Sequence, residues 1–144
     1  MNKTLKIFLI IVALGLVTGL ATVYYLFNMP HRDVENEKPA FVMTASDLYT
    51  EYSGDETKSN IKFGDQVIQV TGNIAELSIE AYQVSITLND EMEGVNCALD
   101  SLSIQQNKEL INHLSLGDSI TLKGKCDGFD MIMGVVLTRC YIIK

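Results

Sequence analysis

The sequence predicts a mainly β domain, a small closed barrel of five strands, behind a single long apolar helix. Three observations carry this prediction. Residues 7–27 contain no charged residue, apolar and polar residues alternate in five later segments, and a segment with helical spacing separates the third of these from the fourth. Alternation with a period of two is typical of strands with one buried face, whereas a period of about 3.6 is typical of helices.

Residues 7–27 form the first element, which we interpret as a transmembrane signal anchor. A helix of about 21 residues spans the hydrocarbon layer of a bilayer, which is about 30 Å thick. Lys3 and Lys6 lie before it, within residues 1–6, and positive charge on that side predicts a cytoplasmic N-terminus and a C-terminal domain outside the cytoplasm. A cleavable signal peptide is the alternative, with a cut near Ala21 and secretion of the remainder.

A polar segment, residues 28–41, follows the apolar helix. It contains Pro30 and Pro39 and shows no apolar periodicity, so we expect a linker between the membrane and the rest of the chain. Residues 42–144 then form the predicted domain. A chain of this length has room for one domain of ordinary size.

Two short helices should open this domain. Thr44 or Ser46 is placed to cap the first helix, because a side-chain oxygen at that position accepts a free backbone N–H group. Leu48 and Tyr52 follow one helical turn apart, so they share one face of this helix. Asp55 is placed to cap a second helical stretch.

The barrel strands are defined by apolar residues at every second position. The predicted inward residues are Ile68, Val70 and Ile74 in the first strand, Tyr82, Val84, Ile86 and Leu88 in the second, Val95, Cys97 and Leu99 in the third, and Ile120 and Leu122 in the fourth. Residues 132–144 contain the fifth strand. Between the third and fourth strands, an apolar stripe with helical spacing is formed by Ile104, Leu110, Ile111 and Leu114.

Three strands, a helix and two further strands follow one another in the order of an OB-fold barrel. Gly72 supports this interpretation, because it interrupts the inward side of the first strand where such a strand must bend sharply. A generic α+β sheet is the alternative. The helix between the third and fourth strands favours the barrel.

Four segments of the chain carry a resemblance to a known family. They are "VIQVTGNI" (67–74), "GVNCAL" (94–99), "LGDSITLKGKCDGF" (116–129) and "VVLTRC" (135–140). Over roughly residues 41–144 the chain resembles the tRNA_anti-like (OB-fold) family of bacterial exported proteins and lipoproteins of unknown function. The resemblance implies an OB-fold and a location in the cell envelope, and it carries over no catalytic residue. The chain lacks the lipidation cysteine of the lipoprotein form, which favours a helical anchor in the inner membrane.

The charge of the chain bears on its partners. The net charge is −7, and Lys3 and Lys6 lie outside the exported part, which is therefore more acidic still. Acidic surfaces repel the phosphate backbone of nucleic acids and the headgroups of anionic lipids. Nucleic acid and flat adhesion to lipid are therefore disfavoured.

Candidate ligand-binding residues lie on the outward side of the second and third strands, where OB-folds commonly bind ligands. They are Gln83, Ser85, Thr87 and Asn96, with Asp100 beyond them. This surface offers hydrogen-bonding groups but no aromatic ring on which bases or sugars could stack. An envelope protein, a peptide or a small ligand is the partner least contradicted, and strand addition to an exposed edge is one route. The alternative is that these positions are simply solvated.

The chain has three cysteines. Cys126 and Cys140 flank the turn between the last two strands, and Cys97 falls on the inward side of the third strand. Antiparallel neighbours can bring two flanking cysteines together, and disulfides persist in an oxidising compartment. We predict a Cys126–Cys140 disulfide, worth about 3 kcal/mol for a loop of about 15 residues. A pair that involves Cys97, or three reduced and buried thiols, are the alternatives.

The sequence contains no recognisable catalytic or metal-binding motif. Asp90, Glu91 and Glu93 gather on a predicted turn, but the ligand pattern of a calcium loop is missing, so we prefer a solvated turn. The cysteines lack a C-x-x-C spacing, and neither His31 nor His113 joins them by spacing. We therefore expect no cofactor and a non-enzymatic, membrane-anchored binding module. A nucleic-acid-binding OB-fold protein is the alternative, and a thiol-based enzyme is a third possibility.

Overall fold

The computed structural model describes residues 2–28, 32–90 and 92–143. They fall into two compact units, one that ends at Arg32 and one that begins at Asp33. In chain order the elements are α1 (Lys3–Phe27), β1 (Phe41–Thr44), α2 (Ala45–Gly54), α3 (Glu56–Phe63), β2 (Val67–Ile79), β3 (Val84–Leu88), β4 (Val95–Leu99), α4 (Ser101–Gln106), α5 (Lys108–His113), β5 (Ser119–Asp130) and β6 (Gly134–Ile143). Helix α1 belongs to the first unit, and all other elements belong to the second.

Helix α1 has the features of a membrane anchor or a signal segment. Its mean hydropathy reaches 2.5, none of it is buried, and it is the one helix in the described part of the chain that is long and apolar enough to cross a membrane. The Thr18 and Thr22 hydroxyls donate to the carbonyls of Leu14 and Thr18, both at 2.8 Å. These polar groups are therefore already paired, as a lipid environment requires.

The second unit is a closed five-stranded barrel with one additional strand, which confirms the predicted OB-fold. Around the barrel the strands follow the order β2–β3–β4–β6–β5, and β5 pairs with β2 to close it. β4 and β6 run parallel, whereas the other barrel pairs are antiparallel. The additional strand, β1, pairs in parallel with the first half of β2.

Strand β2 contacts two barrel neighbours because it bends in its middle. Residues 67–73 pair with β5, and the strand from Ile74 onward pairs with β3. At Gly72 a Cβ atom would lie 3.1 Å from the Cβ atoms of Ala45 and Leu88, which is closer than ordinary packing. The glycine therefore lets α2 and β3 approach the bend, in agreement with the role predicted for it.

Helices α2 and α3 begin at the predicted caps. The Thr44 hydroxyl accepts the Asp47 N–H at 3.1 Å, and the Asp55 carboxylate accepts the Lys58 N–H at 3.0 Å. The side chains that the two helices bury are Ala45, Leu48, Tyr52, Ser59 and Phe63. Helix α2 contacts β2, β4 and β6, so its buried face completes the barrel core.

The second half of the predicted linker lies against the domain. Val34 is buried, and the Lys123 ammonium group donates to the carbonyls of Glu35 and Glu37 at 2.6 and 3.0 Å. Lys123 is itself buried, and these carbonyls replace the water that its charge loses. The compact unit therefore begins at Asp33, ahead of the boundary that sequence composition predicted.

Two of the predicted inward positions are wrong. Tyr82 is 95% exposed, because it lies in the turn before β3 begins at Val84. Leu110 is also exposed, whereas Ile111 beside it is buried. The predicted single helix is interrupted at Asn107, which separates α4 from α5, so its apolar residues do not form one continuous stripe.

Candidate binding site

Of the four residues that were predicted to bind a ligand, the structure sets Gln83 apart from the other three. Gln83 is exposed in the turn before β3, whereas Ser85, Thr87 and Asn96 lie on β3 and β4. Thr87 is only 2% exposed and faces Asn96 across the two strands. The Asn96 Nδ2 donates to the Thr87 Oγ1 at 3.0 Å, so these two side chains satisfy each other. Ser85 and Asn96 keep partial contact with solvent.

The strand face around these residues contains an acidic group. Glu76 of β2 is the cross-strand partner of Thr87, and Ser78 is the partner of Ser85. On β4, Ala98 pairs with Ser85. None of these five side chains is basic or aromatic. These side chains can therefore form hydrogen bonds, but they provide neither a stacking platform nor a positive charge for phosphate.

A cleft of about 330 Å³ opens between the β2–β3 turn and helices α4 and α5. Its apolar floor includes the buried side chains of Val84 and Ile111, and the exposed ring of Tyr82 lies at its edge. The polar residues of its walls are Glu80, Ser101, Gln105, Lys108 and Asn112. An apolar concave surface with a few convergent polar groups is typical of a site for a small ligand.

Sequence-based prediction missed this cleft because it placed Tyr82 inside the barrel. Alternation alone could not reveal the error, because Tyr82 keeps the period of two that Val84, Ile86 and Leu88 follow. The structure ends β2 at Ile79, which is exposed, and begins β3 at Val84, so Tyr82 belongs to the connection between them.

The predicted Cys126–Cys140 disulfide is not supported. All three cysteines are free and buried. Cys126 lies opposite Leu137 in the β5–β6 ladder, and its Sγ is 3.2 Å from the hydroxyl oxygen of Tyr52. The hydroxyl of an α2 side chain is therefore the hydrogen-bonding partner of this thiol.

A bulge in β6 explains the position of the other cysteine. β6 contains one extra residue opposite Gly124, and Arg139 in this bulge adopts a left-handed φ of 51°. The Cys140 thiol consequently lies over Gly124, at a place where a Cβ atom on that glycine would collide with its Sγ. There it interacts with Cys97, whose thiol is the second cause, after burial, that raises the pKa of Cys140.

Neither of the two predicted disulfide cysteines is activated for thiol chemistry. Burial raises the pKa of Cys126 above its ordinary value, and burial followed by the contact with Cys97 raises the pKa of Cys140. Burial and the bond to Cys126 also raise the pKa of Tyr52. A raised thiol pKa lowers the fraction of thiolate, which is the nucleophilic form.

The structure describes two of the three residues of the predicted acidic turn, Asp90 and Glu93. The Asp90 Oδ1 accepts the N–H groups of Met92 and Glu93 at 2.9 and 3.0 Å, and Glu91 lies outside the described residues. His31 also lies outside them. Within the described ranges, no group of three or more Asp, Glu, His or Cys side chains could hold a metal ion.

Comparisons with known proteins agree with this architecture. The model of the tRNA_anti-like family matches residues 1–142. The comparison with curated proteins found no match. A solved structure described as a "putative nucleic acid-binding lipoprotein", from Klebsiella pneumoniae subsp. pneumoniae MGH 78578, is similar with a TM-score of 0.55 and 16% identity. The similarity covers 81% of this chain and 100% of that one, and at this identity it shows the fold alone.

Two further solved structures share a smaller part of the chain. An OBody bound to hen egg-white lysozyme has a TM-score of 0.45 and 18% identity, over 58% of this chain and 86% of that one. Asparaginyl-tRNA synthetase from Pyrococcus horikoshii has a TM-score of 0.45 and 11% identity, over 58% of this chain and 21% of that one.

Proposed function

Because the chain belongs to the tRNA_anti-like family, we propose that it is a non-enzymatic binding module, anchored in a bacterial inner membrane by α1 with its OB-fold domain outside the cytoplasm. The observation that carries this proposal is a wholly exposed apolar helix of 25 residues in the same chain as a closed barrel. Lys3 and Lys6, at the start of α1, favour a cytoplasmic N-terminus.

The chemistry of the domain supports binding rather than catalysis. The thiols of Cys126 and Cys140 are buried with raised pKa values, so they are poor nucleophiles. Two of the five polar residues in the walls of the cleft, Gln105 and Asn112, carry amides, which donate and accept hydrogen bonds but do not transfer protons at neutral pH.

We place the ligand in the cleft, next to Tyr82. The exposed ring of Tyr82 supplies a stacking surface, and Gln105, Lys108 and Asn112 supply hydrogen-bonding groups on the facing helices. Gln83 adjoins this site as the residue after Tyr82. A peptide segment or a small polar ligand with one flat face suits this arrangement.

The other predicted binding residues form a second, weaker candidate surface. Ser85 and Asn96 are partly exposed on β3 and β4, but Thr87 is buried and already bonded to Asn96. A ligand there would have to replace that bond, so we expect it to contribute less to affinity.

Nucleic-acid binding is the alternative, and it is the activity named in the description of the Klebsiella neighbour. All 18 acidic residues of this chain lie in the unit that begins at Asp33, whereas three of the 11 basic residues lie outside it. Such a balance repels phosphate. We therefore expect no retardation of single-stranded DNA or RNA in a gel at low salt, and clear retardation there would favour this alternative.

The anchor and its orientation are tested by protease treatment of spheroplasts, followed by the intact mass of the protein extracted from membranes. We expect full-length chain in the membrane fraction and digestion of the domain from outside. A matched variant with Lys3→Glu and Lys6→Glu should lose part of this orientation, because positive residues set it. A soluble chain that starts near Thr22 would contradict the anchor, and a domain protected in intact spheroplasts would contradict its location.

The cleft is tested by NMR of the full-length protein in detergent micelles, against a panel of short peptides and monosaccharides. A ligand of this site should shift the side-chain amide signals of Gln105 and Asn112. Tyr82→Ala should weaken its binding by about tenfold, which is the effect expected when a stacking contact is lost. Ile61→Ala is the control, because Ile61 is also largely exposed, on α3, and does not line the cleft. Equal losses in both variants would overturn the assignment.

A further inference from the structure

Two turns of the barrel repeat the same pattern. "DEMEG" (90–94) joins β3 to β4, and "DMIMG" (130–134) joins β5 to β6. The strands that follow are parallel neighbours, with Val95 opposite Val135. The Val135 N–H donates to the Gly94 carbonyl at 3.1 Å, so the two turns lie side by side.

Both turns are held in shape by their first residue. The Asp90 Oδ1 accepts the N–H groups of Met92 and Glu93 at 2.9 and 3.0 Å. In the same way the Asp130 Oδ1 accepts the N–H groups of Ile132 and Met133 at 2.8 and 3.1 Å. Carboxylates that bond the backbone two and three residues on are typical of Asx turns.

Four residues of the two turns have large, apolar and exposed side chains. Met131 is 92% exposed, Ile132 77%, Met92 70% and Met133 44%. We call these four side chains the paired-turn surface. A group of exposed apolar side chains is unfavourable in water unless another surface covers it, and methionine adapts well to partners of varied shape.

The charged residues within the two turns are all acidic. Asp90, Glu93 and Asp130 belong to the two turns, and neither turn contains Lys, Arg or His. The backbone N–H groups of Met92 and Glu93 lower the pKa of Asp90, so its carboxylate stays ionised at neutral pH. Apolar side chains with a negative border are complementary to a partner that is apolar and positively charged, and they disfavour anionic lipid.

We propose that the paired-turn surface docks a positively charged, apolar segment of another protein. The segment places its apolar side chains on the methionines and its Lys or Arg side chains beside Asp90, Glu93 and Asp130. Docking of an amphipathic segment on an apolar surface is a common mode of peptide recognition. This inference rests on the proposed binding role of the domain, but it uses a surface separate from the cleft at Tyr82.

The experiment follows methyl signals of the full-length protein, labelled in methionine and held in nanodiscs of zwitterionic phosphatidylcholine. The probe is an amphipathic peptide of leucine and lysine, and the matched control peptide carries glutamate in place of lysine. We expect the lysine peptide to shift the signals of Met92, Met131 and Met133 and to leave Met43, which packs against the core, unchanged. Added salt should weaken this binding because it screens the charges.

A double variant, Met131→Ser with Ile132→Ser, should bind the lysine peptide about tenfold more weakly, since two apolar contacts are lost. Ile61→Ser is the control with a similarly exposed side chain on α3, and it should bind normally. Unchanged β-sheet circular dichroism verifies that each variant is folded.

Four outcomes would overturn the proposal. They are an absence of methionine shifts, equal binding of the glutamate peptide, the same shifts caused by phosphatidylglycerol in place of the peptide, and the same shifts caused by self-association at higher protein concentration. The topology and cleft experiments do not depend on this surface. A failure here alone would therefore leave the proposed function standing.

Discussion

Two groups of large apolar side chains in this domain have opposite environments. Below helices α2 and α3, Phe63 and Tyr52 are buried and make ring contacts with Phe41 and Phe129. At the paired-turn surface, Met131 and its neighbours are exposed. An Asp side chain caps a backbone turn in both places, at Asp55 and in each of the paired turns. The cap therefore sets the local backbone shape, and only the presence of a packed partner decides whether the apolar side chains stabilise the fold.

The largest difference should appear when one side chain is truncated in each group. Phe63→Ala should lower the free energy of unfolding by about 3–5 kcal/mol, because it leaves a cavity below the helices. Met131→Ala should change it by less than about 0.5 kcal/mol, because that side chain is already in water. Urea unfolding of the full-length protein in detergent, followed by circular dichroism, measures both. Similar losses in the two variants would remove the distinction between the two regions.

A smaller effect is expected from an atom added to the interior. In Gly124→Ala the new Cβ would collide with the Cys140 Sγ, so we expect a loss of about 1–3 kcal/mol in the same unfolding assay. Adding Cys140→Ala to this variant should recover part of the loss. Gly54→Ala is the matched control, since no atom lies within 4 Å of its Cβ position. If both glycine variants keep full stability, β6 does not pack over β5 as described.

Loss of the charge on Asp127 should lower the stability less than the substitutions above. Burial raises the pKa of Asp127, but the hydrogen bonds from Lys125 and Thr138 outweigh it and hold the pKa below 3.8. Because the folded-state pKa is the lower one, this stabilisation is complete above a pH of about 3.8 and is lost as the pH falls through the folded-state pKa. Asp127→Asn should therefore cost less than about 1 kcal/mol at pH 7, since the pair is partly solvated. This difference should vanish in acid, and a cost that persists there would assign it to packing.

Reducing conditions should have no effect on the stability of the protein. With Cys97, Cys126 and Cys140 free, adding a reductant should leave the unfolding midpoint unchanged, and three thiols should titrate after denaturation. A disulfide between Cys126 and Cys140 would instead add about 3 kcal/mol that the reductant removes. A lower midpoint under reducing conditions would restore the pairing that the sequence predicted.

The local features of the fold could be predicted from the sequence. The caps at Thr44 and Asp55 depend on residues three positions away, and the alternation from Val95 to Leu99 follows from burial on one side of a strand. Strand β1 could not be predicted, because its four residues are too few to show a period and its pairing with β2 is distant in sequence.

The site was less predictable because it depends on register. The cysteine pairing failed on the register of the β5–β6 hairpin, which places Leu137, three residues before Cys140, opposite Cys126. The predicted binding residue Thr87 is buried because Glu76 and Asn96 flank it on both neighbouring strands. Such burial depends on which residues face each other across strands, and a single sequence contains this information only indirectly.

The parallel pairing of β4 and β6 has a consequence for how the barrel folds. The two strands are neighbours although α4, α5 and the whole of β5 lie between them in the chain, and β2 and β5 are still further apart. The β5–β6 hairpin is local and can form within microseconds, whereas contacts between distant segments must first overcome the entropy of loop closure. We therefore expect closure of the ring to limit the folding rate. Substitutions at Val95 or Val135, which join late, should speed unfolding more than they slow folding. Until the barrel closes, the apolar strands of a newly synthesised chain are exposed and can associate with those of other chains.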